Sequence, residues 1–182
     1  MKTQSNPALQ RLIKRPAGWI IGLSACVLMG IGIYLLASDV HIIQATDDSG
    51  DILMVQQINA DSTLTSRYIH SVARCPMIEK FQINKTGEIV LTESWNCSFG
   101  AGIEYQTPEG ATTREEDGFF IYEGLNKPFK QLSIHAVKLN EYTVTIDGQT
   151  YELSKNPYLG KTITFEVMEQ TRFSYLFGKI TQ

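Results

Sequence analysis

Two cysteines, two glutamates and one histidine carry most of the chemistry this 182-residue chain can offer. Cys75 and Cys97 lie equally far from Thr86, and so do Glu79 and Glu93. Thr86 is the middle of Lys85-Thr86-Gly87, a three-residue hairpin loop signature with glycine where a left-handed residue is required. A hairpin folded on that loop pairs Asn84 with Glu88 and, in unbroken register, Cys75 with Cys97 and Glu79 with Glu93. Directly opposed strand residues have Cβ atoms ~4.5–5.5 Å apart, and a disulfide takes ~3.5–4.5 Å, so a small local twist joins the cysteines. We therefore predict a Cys75–Cys97 disulfide, with two buried thiols as the alternative.

The same register sets like charges against each other. One face of the hairpin reads Cys75, Met77, Glu79, Phe81 and Ile83 against Ile89, Leu91, Glu93, Trp95 and Cys97, which is an apolar, core-side face. Opposed carboxylates there are destabilising and call for a cation, a shared proton or a basic side chain. His70 on the preceding strand, with Arg67, Arg74 and Arg114, are candidate partners. Three readings stay open: a ligand, cation or proton site built from His70, Glu79 and Glu93, a structural ion pair with Arg at the sheet margin, or a register that is off by one. Gly100-Ala101-Gly102 adds a candidate ligand nest, in which Gly100 and Gly102 would offer backbone N–H groups to an anion; a glycine-dependent turn is the alternative. The chain has neither a phosphate-loop lysine nor a G-x-S-x-G elbow, and His41, His70 and His135 lack metal-ligand spacing. No catalytic constellation is complete, so a non-enzymatic protein without a cofactor or metal is expected.

The elements that must hold these residues read as strands. Short runs of apolar and β-branched residues alternate with polar ones between Gly, Asn, Asp and Pro. The expected strands are Ile52–Ile58, Thr63–Val72, Met77–Ile83, Glu88–Cys97, Gly118–Glu123, Gln131–Val137, Tyr142–Ile146, Gln149–Leu153 and Thr162–Met168. Asp147-Gly148 is a two-residue turn signal that sets Val144 opposite Tyr151, with threonines on the other face. The fold class is all-β: a compact antiparallel sandwich or barrel-like domain. The last segment, Arg172 to Ile180, reads as a final core strand or as a surface that docks on a partner or the membrane.

Ahead of this domain stands the uncharged run Ala17–Ala37, about as long as the ~20 residues that cross a ~30 Å hydrocarbon core. Lys2, Arg11, Lys14 and Arg15 precede it, and no acidic residue does. The positive-inside rule then puts the N-terminus in the cytoplasm and the domain outside, where a disulfide persists. Trp19 and Tyr34 sit where interfacial aromatics belong. Leu23-Ser24-Ala25-Cys26 looks like a lipobox, but Val27–Leu36 continues the apolar run, so Cys26 is read as part of the span. The expected divisions are a basic cytoplasmic N-terminus (1–16), a transmembrane helix (17–37), a tether (38–50) and an extracytoplasmic β domain (51–182). After Ala37 the chain has 12 Lys and Arg against 19 Asp and Glu, a net −7, which argues against a nucleic-acid partner.

The sequence between Tyr68 and Gly102 resembles the bacterial domain-of-unknown-function 1850 family. The resemblance is carried by Tyr68-Ile69-His70-Ser71-Val72, Pro76, Glu79, Phe81, Gly87, Leu91-Thr92-Glu93 and Phe99-Gly100-Ala101-Gly102, with Phe119-Phe120 and Ser133-Ile134-His135 as weaker matches. It implies a small membrane-anchored or secreted protein of the bacterial cell envelope, associated with TRAP transporters of the TAXI subtype. Such systems take up organic acids through a permease and a solute-binding protein, so the resemblance implies an accessory subunit at the inner membrane. It also covers His70, Glu79 and Glu93.

Overall fold

Two turns set the register of much of the protein. In the computed structural model, which describes residues 16–97 and 106–180, Gly87 takes φ +77° and the Asn84 N–H donates to the Glu88 carbonyl at 3.0 Å. The Asn84 side-chain oxygen accepts the N–H groups of Thr86 and Glu88, which satisfies the loop from inside. At the second turn Asp147 (φ 46°) and Gly148 (φ 86°) both have positive φ, as a type I′ turn requires. The Asp147 carboxylate accepts the Ser62 hydroxyl at 2.7 Å and the Thr63 N–H at 2.9 Å, so this turn also fixes the neighbouring strand.

Among the described residues there are eleven strands: β1 (Asp39–Thr46), β2 (Ile52–Ile58), β3 (Thr63–Ile69), β4 (Pro76–Ile83), β5 (Ile89–Asn96), β6 (Thr112–Glu116), β7 (Phe119–Phe129), β8 (Gln131–His135), β9 (Thr143–Ile146), β10 (Gln149–Glu152) and β11 (Thr162–Thr171). They form a seven-stranded sheet, β10-β9-β3-β4-β5-β7-β6, and a four-stranded sheet, β2-β1-β11-β8. The all-β sandwich expected from the alternation is therefore what the chain forms. Ile43, Ala45, Met54, Ile58, Ile134, Ile163 and Phe165 of the smaller sheet pack with Leu64, Phe81, Ile83, Ile89, Val144 and Ile146 of the larger one. Val144 pairs with Tyr151, as the turn signal predicts, and Thr145 and Thr150 share a hydrogen bond at 2.9 Å on the opposite face.

Three expectations are corrected. The tether at 38–50 is mostly strand: Asp39–Thr46 is an interior strand of the smaller sheet, burying Val40, Ile42, Ile43 and Ala45. Its polar end misled, because Asp47-Asp48-Ser49-Gly50 is a turn closed by Asp47 Oδ1, which accepts the Ser49 and Asp51 N–H groups. The Asp47 carboxylate is almost fully buried and takes Lys161 Nζ at 2.7 Å; that bond holds its pKa below the usual carboxylate range. The segment Arg172–Ile180 is a helix, α2, and not a core strand. β6 was missed because its sequence, TTREE, is a charged edge strand without apolar alternation.

The third correction concerns register. Ile83–Ile89, Gln82–Val90 and Phe81–Leu91 pair as predicted, and then the ladder shifts by one residue. Thr92 is the extra residue, and its hydroxyl donates to the Lys80 carbonyl at 3.0 Å. Beyond it Lys80 stands opposite Glu93 and Glu79 opposite Ser94. Thr92→Val, which keeps the shape and loses this bond, should cost about 1 kcal/mol, seen as a lower urea midpoint at unchanged slope.

The N-terminal helix α1 (Pro16–Ala37) is described with α2 (Arg172–Ile180) as a unit separate from the sandwich of residues 40–169. Its Trp19–Ala37 segment has a mean hydropathy of 2.3 and no buried residue, which makes it long and apolar enough to cross a membrane. Ser24 Oγ donates to the Ile21 carbonyl at 2.9 Å, so this hydroxyl is satisfied without water. Cys26 is free and exposed on α1.

Candidate functional site

The bulge at Thr92 decides what each predicted site residue faces. It turns everything after it on β5 to the other side of the sheet, so Glu93 shares a face with Lys80 and Trp95, and Glu79 shares one with Ser94. The opposed pair Glu79–Glu93 does not exist. Glu93 lies in an ion-pair ladder: Lys80 Nζ is 2.8 Å from its carboxylate and Trp95 Nε1 donates to it at 2.8 Å. Lys80 and Arg114 lie over the Trp95 ring at 4.5 and 5.4 Å, and Arg114 also pairs with Glu123 and Glu116. Burial pushes the Glu93 pKa up, but the bonds from Lys80 and Trp95 overcome it and leave it below the ordinary value. Glu93 is thus in a structural ion pair, with Lys80 and not with an arginine, and the register is off by one.

His70 serves a turn. Its Nδ1 accepts the N–H groups of Val72 and Ala73 at 3.3 and 3.1 Å, while its backbone N–H and carbonyl bond Cys75 and Arg74. An accepting Nδ1 places the ring proton on Nε2. His70, Glu79 and Glu93 are therefore not one cluster, and no group of three His, Cys, Asp or Glu among the described residues could hold a metal ion. Gly100 and Gly102 lie outside the described residues. The predicted disulfide is present: Cys75 and Cys97 are joined with Cα atoms 6.1 Å apart, just past the Met77–Asn96 pair that ends the ladder.

Glu79 is the residue with unused chemistry. It stands on the core-side face of β4, between Ser66 on β3 and Ser94 on β5, two residues along the strand from Phe81 of the core cluster. Ser66 is fully buried, and its Oγ bonds the Tyr142 hydroxyl at 3.0 Å. Tyr142 stacks on Tyr68 with ring centroids 4.9 Å apart. Ser94, Asn96, Tyr122 and Lys127 line an adjoining groove of about 500 Å³ with Gln106 and Asn126. The groove opens where β7 loops out, since Leu91 pairs with Lys127 and Glu93 with Glu123, leaving Gly124-Leu125-Asn126 opposite Thr92 alone.

Burial pushes the Glu79 pKa above its ordinary value, and the Lys127 ammonium draws it partly back. Burial and the Glu79 charge likewise push the Tyr68 and Tyr142 phenols up. Burial thus makes this carboxyl easier to protonate than an ordinary glutamate, and makes the two phenols beside it harder to ionise. The sequence carries a signal for it: Leu64-x-Ser66-x-Tyr68 and Leu91 to Asn96 interrupt apolar faces with small polar residues, at positions that packing alone would fill with Val or Leu.

The stability consequence has a definite sign. A glutamate whose folded pKa is raised makes the protein lose stability as pH climbs from its ordinary 4.5 through the folded value. Glu79→Gln removes that loss. It should stabilise the protein by about 1 kcal/mol at neutral pH, the low end of the cost of a poorly solvated polar group, and the gain should vanish on acidification. Thermal melts of both proteins across pH check this; a constant difference would contradict it.

Residues 64–153 match the family model described as domain of unknown function (DUF1850). The matched segment runs from β3 to β10 and so carries the larger sheet, together with β8; β1, β2 and β11 lie outside it. No curated protein and no solved structure matches the chain. With the larger sheet, the Cys75–Cys97 bridge and Glu79 all inside the matched segment, residues 64–153 form a domain of the DUF1850 family.

Proposed function

We propose that this chain is a non-enzymatic accessory subunit of a TRAP-type organic-acid transporter of the TAXI subtype, held in the bacterial inner membrane by α1 with its β domain in the periplasm. The observation that carries the reading is a disulfide-bonded domain on a chain whose N-terminal apolar helix follows four basic residues and no acidic one. The first feature requires an oxidising compartment, and the second orients the helix to deliver the domain there. The link to TAXI systems comes from the resemblance of the Tyr68–Gly102 sequence. The partners are the permease, the solute-binding protein or both.

Organic-acid uptake by cells lacking the chain tests the role. Uptake should fall, recover with the full chain, and recover less when residues 1–37 are exchanged for a cleaved signal peptide. Unchanged uptake would contradict an accessory role. A C-terminal alkaline phosphatase fusion should be active in the same cells, as expected for a periplasmic C-terminus.

A second reading rests on Glu79. A raised carboxyl beside a groove rimmed by Lys127, Ser94, Asn96 and Gln106 suits a small polar ligand or cation. Of the three residues first grouped there, Glu79 alone retains the role, since Glu93 and His70 are engaged elsewhere. Titration calorimetry with organic acids and divalent cations, on the native protein and Glu79→Gln, distinguishes this module from a purely structural subunit.

A further inference from the structure

The C-terminal helix α2 presents a half-exposed apolar face. Thr171 caps it, its hydroxyl accepting the Ser174 N–H at 3.2 Å. Phe173, Leu176 and Phe177 fall on one side, as the spacing i, i+3, i+4 dictates. They are 41, 46 and 55% exposed, and Phe173 and Phe177 touch with ring centroids 4.4 Å apart. Three adjoining large apolar side chains on a nine-residue helix are more than scattered surface hydrophobics.

Where α2 begins says what covers that face. The Arg172 N–H donates to the Ser38 carbonyl at 2.9 Å, and Ser38 directly follows the last residue of α1. The Arg172 guanidinium lies 5.5 Å over the Tyr34 ring, one turn before that end, and α2 packs beside α1. If α1 crosses the bilayer, the first turn of α2 is fixed at the depth where hydrocarbon gives way to headgroups. Tyrosine and arginine favour that depth, and amphipathic helices lie there with their apolar side in the acyl chains.

We propose that α2 is a second membrane contact, an interfacial helix whose Phe173, Leu176 and Phe177 side enters the outer leaflet next to α1. The inference rests on the reading of α1 as a membrane span. With two contacts, rotation and tilt of the chain at the membrane surface are restricted in a way a single span does not achieve.

Nitroxide labels on the full chain in phosphatidylethanolamine–phosphatidylglycerol vesicles test it, in a Cys26→Ser background. One label goes at Leu176→Cys, one at Gly178→Cys on the other side of α2, where an added Cβ meets nothing within 4 Å, and one at Leu28→Cys within α1. The label at 176 should resemble that at 28, with oxygen collisions severalfold above nickel-chelate collisions, and the label at 178 should show the reverse. Equal nickel access at 176 and 178, with 28 in lipid, overturns the interfacial helix and leaves the span intact. Shielding of 176 from both reagents means that protein covers the face, and also overturns it. Nickel access at 28 removes the span itself, and the inference with it.

Discussion

Replacing Phe165 by alanine should lower the unfolding free energy by about 4 kcal/mol, within the usual range for a buried aromatic. Phe165 has no exposed surface and is among the largest fully buried side chains. It projects from β11, opposite Leu132 on β8, into the cluster shared by the two sheets. The truncation therefore removes contacts from both sheets at once, and the surrounding β-branched side chains cannot collapse into the space without moving backbone. Urea unfolding of the full chain in detergent measures it. The pH dependence attributed to Glu79 should survive, because Glu79 lies beyond that cluster. A loss below about 1 kcal/mol would mean that the core is looser than its burial indicates.

Removing the disulfide should cost about 3 kcal/mol, the loop-entropy value for a bridge of this span. Cys75 and Cys97 are 22 residues apart, and the bridge closes the hairpin of β4 and β5 at the end away from its turn. The effect differs from that of Phe165→Ala in place and in kind. It acts mainly on the unfolded chain, and it fastens the end of the larger sheet where Glu79, Ser94 and Asn96 stand. Cys75→Ala with Cys97→Ala should therefore lower the urea midpoint and raise hydrogen exchange around β4 and β5 most. Reduction of the native protein should reproduce the midpoint shift. No shift from either would contradict a stabilising bridge.

The fold was legible where local chemistry alone decides it. Lys85-Thr86-Gly87 and Asp147-Gly148 each need positive φ at a defined place, and that fixed two hairpins and the register next to each turn. The all-β class followed from alternation, and the disulfide survived because the cysteines lie past the end of the ladder, where a slip of one residue still leaves them within reach. The site was less legible. A β-bulge is one residue held by a side-chain bond to the next strand, here Thr92 to the Lys80 carbonyl. Nothing in Leu91-Thr92-Glu93 distinguishes that from ordinary alternation. That one residue moved Glu93 to the face of Lys80 and left Glu79 among serines and tyrosines. β1 and α2 were misread for local reasons: Asp39–Thr46 pairs with β2 across a polar Asp-Asp-Ser-Gly turn that reads as a tether, and Arg172–Ile180 has too few residues for its helical spacing to stand out from a strand.

The most direct measurement is gentle affinity purification of the tagged full-length chain from its native membranes, with mass spectrometry of what stays bound. An accessory subunit should bring the TRAP permease with it in near-stoichiometric amount, and the complex should weaken when residues 1–37 are exchanged for an unrelated membrane span. Recovery of the chain alone across several mild detergents, from cells in which the permease is present, would contradict the transporter role and leave the Glu79 groove as the feature to pursue.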